Sequence, residues 1–205
     1  MKELLRDQRL TTARHLRTLD LDAWSRPSLC TGWRTREVLA HLVTPFEVSM
    51  PRMAVSMLRH RGPSGAMDAW ARTLGRRAPG DLVDVLEAHA DSTFHPPGLP
   101  LAAPLVDVLV HTLDIRWALE PTPGVGHVDP EHVRPALEFL TTPRAVGVFV
   151  TRGRLDGLRL EADDLDLGWG DGETVRGPAL ALAAGACGRA PAYDLLTGEG
   201  LERWR

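Results

Sequence analysis

Asp107–Val108–Leu109–Val110–His111–Thr112–Leu113–Asp114 sits inside a long, mostly apolar segment that opens at Pro104 and runs to Leu119. Pro104 is suited to the first turn of a helix, and Leu105, Val108, Leu109 and Trp117 recur at helical spacing, so the segment reads as one packed helix. Helical residues four apart lie about 6 Å apart on one face. Asp107 and His111 therefore project a carboxylate and an imidazole from adjacent turns toward one point. Asp114 shares that face and could accept from the second imidazole nitrogen, as metal-bound histidines usually require. Its other reading is a surface pair with Arg116 or a neighbour.

Upstream, Glu37–Val38–Leu39–Ala40–His41–Leu42 places a lone His41 in a second helical stretch, from which it could supply a third ligand. Two nitrogens and one oxygen around a divalent ion leave a position open, and open sites do chemistry whereas structural sites are closed. The alternative reading has no metal: Asp107 and His111 form a buried hydrogen-bonded pair, and His41 is a core histidine bonded to backbone.

The remaining pattern places helices around these two. Leu4, Leu5, Gln8, Thr12, Leu16 and Leu19 predict an amphipathic helix over 2–19, broken at Trp24–Pro27. A loop holding Pro27 and Gly32 runs to Trp33, and a helix restarts near Arg34 or Thr35, presenting Val38, Leu39, Leu42 and Val43 to a core. Pro45 cannot donate to the carbonyl of His41 and is expected to kink that helix, with Met50–Leu58 continuing it. Gly62–Gly65 reads as a turn before a weak helix over 66–75. Asp81 is a candidate N-cap for a helix over 82–93, stopped by His95–Pro96–Pro97–Gly98. After a Pro121–Gly126 loop, Asp129 caps a helix over 130–141. From Ala145 to Glu173 short alternations predict two or three antiparallel strands. A small apolar helix over 177–187 follows, and Asp194–Trp204 is a candidate last strand. The expected organisation is a helical bundle at 1–142 and a small α/β module at 143–205, an α+β fold.

Composition narrows the function. The formal net charge is −3, which argues against a nucleic-acid groove or a polybasic membrane patch. The longest apolar run, Pro178–Cys187, is about half the roughly 20 residues that cross a bilayer. Met1–Leu21 alternates charge with Leu and does not read as a signal peptide. Cys30 and Cys187 are too few for a disulfide framework, which points to a reducing, cytoplasmic setting.

The run Pro27–Ser28–Leu29–Cys30–Thr31–Gly32–Trp33–Arg34–Thr35–Arg36–Glu37–Val38–Leu39–Ala40–His41–Leu42 resembles the N-terminal signature of the mycothiol-dependent maleylpyruvate isomerase-like family, within the DinB-type four-helix-bundle superfamily. Asp107 to Leu119 resembles its second signature. Val175–Arg176–Gly177–Pro178, Gly188–Arg189 and Leu195–Leu196–Thr197–Gly198–Glu199–Gly200 are similar to the sterol-carrier-like module that often follows. The resemblance implies a divalent ion, Zn most of all with Ni, Fe or Mn as alternatives, held by His41, Asp107 and His111. It further implies a low-molecular-weight thiol such as mycothiol that attacks an electrophile, in a transferase or isomerase acting as monomer or homodimer. The isomerase has Glu as its acidic ligand; Asp107 is one methylene shorter, so an ion would lie closer to the helix or bind more weakly.

Two other functions fit the same residues: a hydrolase using metal-bound hydroxide, and a metal- or ligand-binding stress protein that has lost the reaction. No residue stands out as general acid or base. Cys30 reads either as a thiol activated near a helix start or as a buried filler. Arg34 and Arg189 could grip an anionic substrate or serve structure. His15, His60, His89, His95, His127 and His132 are expected at the surface, with His95 able to line a site entrance.

Overall fold

The computed structural model describes residues 1–120, 124–126 and 128–204. Residues Pro121–Pro123 of the expected loop, and the reading of His127, lie outside the described residues. The chain divides into two compact units, Lys2–Phe94 and His95–Arg205, the second grouped with Met1.

The first unit is helical. Helix α1 (Lys2–Leu16) buries Leu5, Gln8, Thr12, Ala13 and Leu16, the one-face spacing expected of it, but it stops about a turn early, in a turn at Arg17–Thr18. Helix α2 (Thr35–Glu47) opens where the Glu37 carboxylate accepts the Arg34 backbone N–H at 2.8 Å, satisfying a donor that the first turn leaves over. Its buried face is Val38, Leu39, Ala40, Leu42 and Val43.

The expected continuation through Met50 does not form. Val48 and Ser49 are extended, and a separate helix α3 (Met50–Arg59) begins beyond them. Pro51 explains the break: a helix running through it would drive the pyrrolidine ring into the carbonyl of Glu47. Helix α4 (Pro63–Leu74) starts inside the expected glycine turn, because Pro63 is pre-set for a first helical turn. Helix α5 (Pro79–Ala88) is shifted for the same reason. Pro79 takes the first position, Asp81 lies within the first turn rather than at the cap, and the helix ends at Ala88, not at 93. Helix α2 packs on α4 and α5, α1 on α5, and α3 on α4.

In the second unit, helix α6 (Ala102–Leu119) is apolar on nearly all sides, with Leu105, Val106, Leu109, Leu113 and Ile115 fully buried. Helix α7 (Pro130–Leu140) is capped as expected by Asp129, whose side chain accepts the Glu131 N–H at 3.0 Å. Strands β1 (Leu158–Ala162), β2 (Leu167–Trp169) and β3 (Glu173–Gly177) form a three-stranded sheet in the order β2-β1-β3. The β1–β2 pair is antiparallel, opposing Leu160 and Trp169, but β3 runs parallel to β1, opposing Leu160 and Val175. The wholly antiparallel expectation is corrected here. Gly172 holds φ +138, and a Cβ there would collide with the Gly157 carbonyl; glycine lets the chain pass the start of β1 and enter on its far edge.

Helix α8 (Ala179–Ala186) packs on α6, α7, β1 and β3. The candidate last strand is instead a pair of 3-10 turns, Ala190–Leu195 and Glu199–Arg203, with one bridge between Arg176 and Thr197. Pro191 within the first turn removes a ladder donor. Among the described residues no helix is long and apolar enough to cross a membrane.

Candidate functional site

Asp107 and His111 stand one turn apart on α6, with His111 Nε2 3.5 Å from Asp107 Oδ1 and side-chain exposures of 13% and 31%. The other nitrogen, Nδ1, lies 2.8 Å from Oδ2 of Asp114, a residue with no exposed side chain. Burial works against ionisation of Asp114, but hydrogen bonds from Arg189 and His111 outweigh it and hold the carboxyl well below the usual range. An ionised carboxylate only accepts, so Nδ1 carries the donated proton and Nε2 is the nitrogen that faces Asp107.

A 3.5 Å separation is long for an N–H···O bond, which peaks at about 2.9–3.0 Å. It matches the edge between two ligands of one tetrahedral ion, roughly 3.3–3.6 Å for bonds of about 2.0–2.2 Å. The donor set fits a divalent ion: an imidazole nitrogen and a carboxylate oxygen one turn apart on one helix.

Asp114 is held in turn by Arg189, which donates from Nε to Oδ1 at 2.9 Å and from a terminal nitrogen to Oδ2 at 2.7 Å. A further Arg189 nitrogen donates to the Cys187 carbonyl at 2.7 Å. This pairing spans 75 residues of sequence, and no local pattern foretells it. Burial pushes the neighbouring Cys187 thiol up to about 12, so it stays protonated at neutral pH.

In the first unit, His41 is half-buried on the second turn of α2, with its ring 5.3 Å from that of Trp33 and tilted by 40°. Trp33 is itself fixed: its indole N–H donates to Asp68 at 2.8 Å. Bonds from Arg72 and then Trp33 hold the Asp68 carboxyl below its usual range. Asp68 and Arg72 were not singled out from the sequence; their i,i+4 spacing was the available signal.

Other candidates have local partners. Arg34 grips Glu37 through two N–H groups at 3.0 and 2.6 Å. Cys30 is half-buried in a turn where Ser28 Oγ accepts its N–H, rather than at a helix start. His60, His89 and His95 are exposed as expected, whereas His15 and His132 are half-buried.

The sequence matches no protein-family model and no curated protein. Among solved structures, the fold is similar to that of the mycothiol-dependent maleylpyruvate isomerase, with a TM-score of 0.64 at 17% identity over 97% of this chain and 91% of that one. A histidine-to-alanine mutant of the isomerase gives 0.63 at 16% identity with the same coverage. The likeness carries the fold: an α+β chain, mostly helical with one small sheet, as the sequence resemblance implied.

Proposed function

We propose that this protein is a divalent-metal-dependent enzyme that uses a low-molecular-weight thiol of the mycothiol type to add to, or isomerise, a small electrophile in the cytoplasm. The observation that carries this reading is the His111 Nε2–Asp107 Oδ1 edge of 3.5 Å, with Nδ1 committed to Asp114. The isomerase of similar fold is described as mycothiol-dependent, and the sequence signatures around His41 and His111 favour the same chemistry.

In this reading His41, Asp107 and His111 hold the ion, with Zn favoured over Ni, Fe or Mn. When bound, the ion supplies Lewis acidity that favours the thiolate form of a thiol. His111 keeps its Nδ1 proton on Asp114 throughout, so it acts as a ligand and not as a proton shuttle. Asp107 contributes a negative charge that offsets that of the ion. A tripod of two imidazoles and one carboxylate leaves a position open for the thiol, and the half-exposed Asp107 side of α6 is the side from which it would enter.

Isothermal titration of metal-stripped protein with Zn²⁺ and with Ni²⁺ tests the reading. Wild type is expected to take up one ion. His111→Ala is expected to lose more affinity than the roughly 10–100-fold that removing an outer hydrogen-bond partner costs. Indistinguishable titrations would remove the metal. Assays with mycothiol and a panel of electrophiles follow, and turnover without any thiol would replace the transferase reading with hydrolysis.

A further inference from the structure

The last turn of α8 ends in an arrangement that aims one side chain at α6. The Arg189 N–H donates to the Ala184 carbonyl at 3.0 Å and the Gly188 N–H to the Gly185 carbonyl at 2.9 Å. Gly188 sits at φ +81. These are the two reversed bonds of a Schellman C-cap, with glycine in the left-handed position that other residues occupy only under strain. The cap reverses the chain at Gly188, and Arg189 is the first residue beyond the reversal.

Its guanidinium places Nε and one terminal nitrogen on the two oxygens of Asp114 and the other terminal nitrogen on the Cys187 carbonyl. A planar fork gripping both oxygens fixes the plane of the carboxylate as well as its position, which a single-point donor cannot do. Oδ2 of that carboxylate is the atom that accepts from His111 Nδ1. The chain of contacts therefore runs from a helix cap on α8, through Arg189 and Asp114, to the imidazole on α6.

We propose that Arg189 is a positioning residue for His111: by clamping Asp114 it fixes the imidazole as the Nδ1–H form, with Nε2 facing Asp107. Arg189 touches no reacting atom in this scheme. The consequence for metal affinity rests on the function proposed above; the tautomer itself does not.

The test uses the full-length, metal-stripped protein and long-range ¹H–¹⁵N correlation spectra of the histidine rings, with His111 assigned by its loss in His111→Gln. Wild type is expected to show His111 as a single Nδ1–H tautomer. Arg189→Met is expected to show a mixture of tautomers and to bind Zn²⁺ roughly 10–100-fold more weakly. Arg189→Lys, which can reach one oxygen at a time, is expected to fall between them. Should Arg189→Met fail to fold, by circular dichroism, Arg189→Lys alone decides. Unchanged His111 ring shifts in the folded variant would overturn the proposal, whatever happened to its stability. A tautomer that moves in a protein that binds no Zn²⁺ in any form would support the positioning role and defeat the metal reading, so the two fail separately.

Discussion

Two arginines, Arg9 buried in one unit and Arg189 half-buried in the other, hold their surroundings together in different ways. Arg9 of α1 is 4% exposed and donates from one terminal nitrogen to the carbonyls of His89, Ala90 and Ser92 at 3.3, 3.1 and 2.6 Å, with its guanidinium 5.2 Å from the Phe46 ring centre. These contacts are to neutral backbone and a ring face, and they tie the end of α5 to α1. Arg189 grips a carboxylate that is itself bonded to a histidine. Burying a guanidinium on carbonyls stabilises a fold, whereas burying it on an ionised side chain also sets the state of whatever that side chain touches. The first arrangement tolerates any chemistry nearby; the second belongs beside a site.

That contrast can be broken from either side. The largest stability loss is expected for Asp114→Ala, which removes a fully buried carboxylate and leaves the half-buried Arg189 guanidinium and the His111 imidazole without their acceptor; it should cost about 3 kcal/mol in urea unfolding. Arg9→Met is expected to cost about 2–3 kcal/mol, from three carbonyls left without a donor and a lost cation–π contact. Its His111 ring spectrum and Zn²⁺ titration should match wild type. A shift in either would abolish the distinction drawn between the two arginines.

Gly188→Ala probes the cap alone. At φ +81 the added Cβ has open space around it, so backbone strain is the only new cost, about 1 kcal/mol. If the cap aims Arg189, this variant should also show a smaller version of the Arg189→Met effect on the His111 tautomer. The smallest effect is a matter of pH at the start of α2. Burial raises the Glu37 carboxyl, but the side-chain and backbone bonds from Arg34 prevail and leave it below its usual range. A carboxyl lowered in the folded state adds stability above its unfolded value of about 4.3, and loses it as pH falls through the folded one. Urea midpoints of Glu37→Gln between about pH 3 and pH 6 should therefore fall less steeply than those of wild type.

Much of the scaffold was legible because helix signals are local. The 35–47, 102–119 and 130–140 helices follow from apolar spacing and, for the last, from the Asp129 cap. The errors lay where proline at a first turn competed with a weaker cue: Pro51 split one expected helix, and Pro63 and Pro79 moved the starts of two others. Change in sequence pattern and division of contacts also differ in place. Alternation begins near 145, yet α6 and α7 pack with α8 inside the unit that starts at His95.

The sequence by itself determined that Asp107, His111 and Asp114 share one face of a helix, because i,i+3 and i,i+4 spacing leaves the backbone no other choice. Tertiary structure alone decided that Arg189 clamps the Asp114 carboxylate from 75 residues away, and that β3 runs parallel to β1. Those outcomes depend on the path of the chain between distant segments. A turn of α-helix is fixed by neighbours within four residues, but a contact across 75 residues exists only after several helices and a sheet have packed.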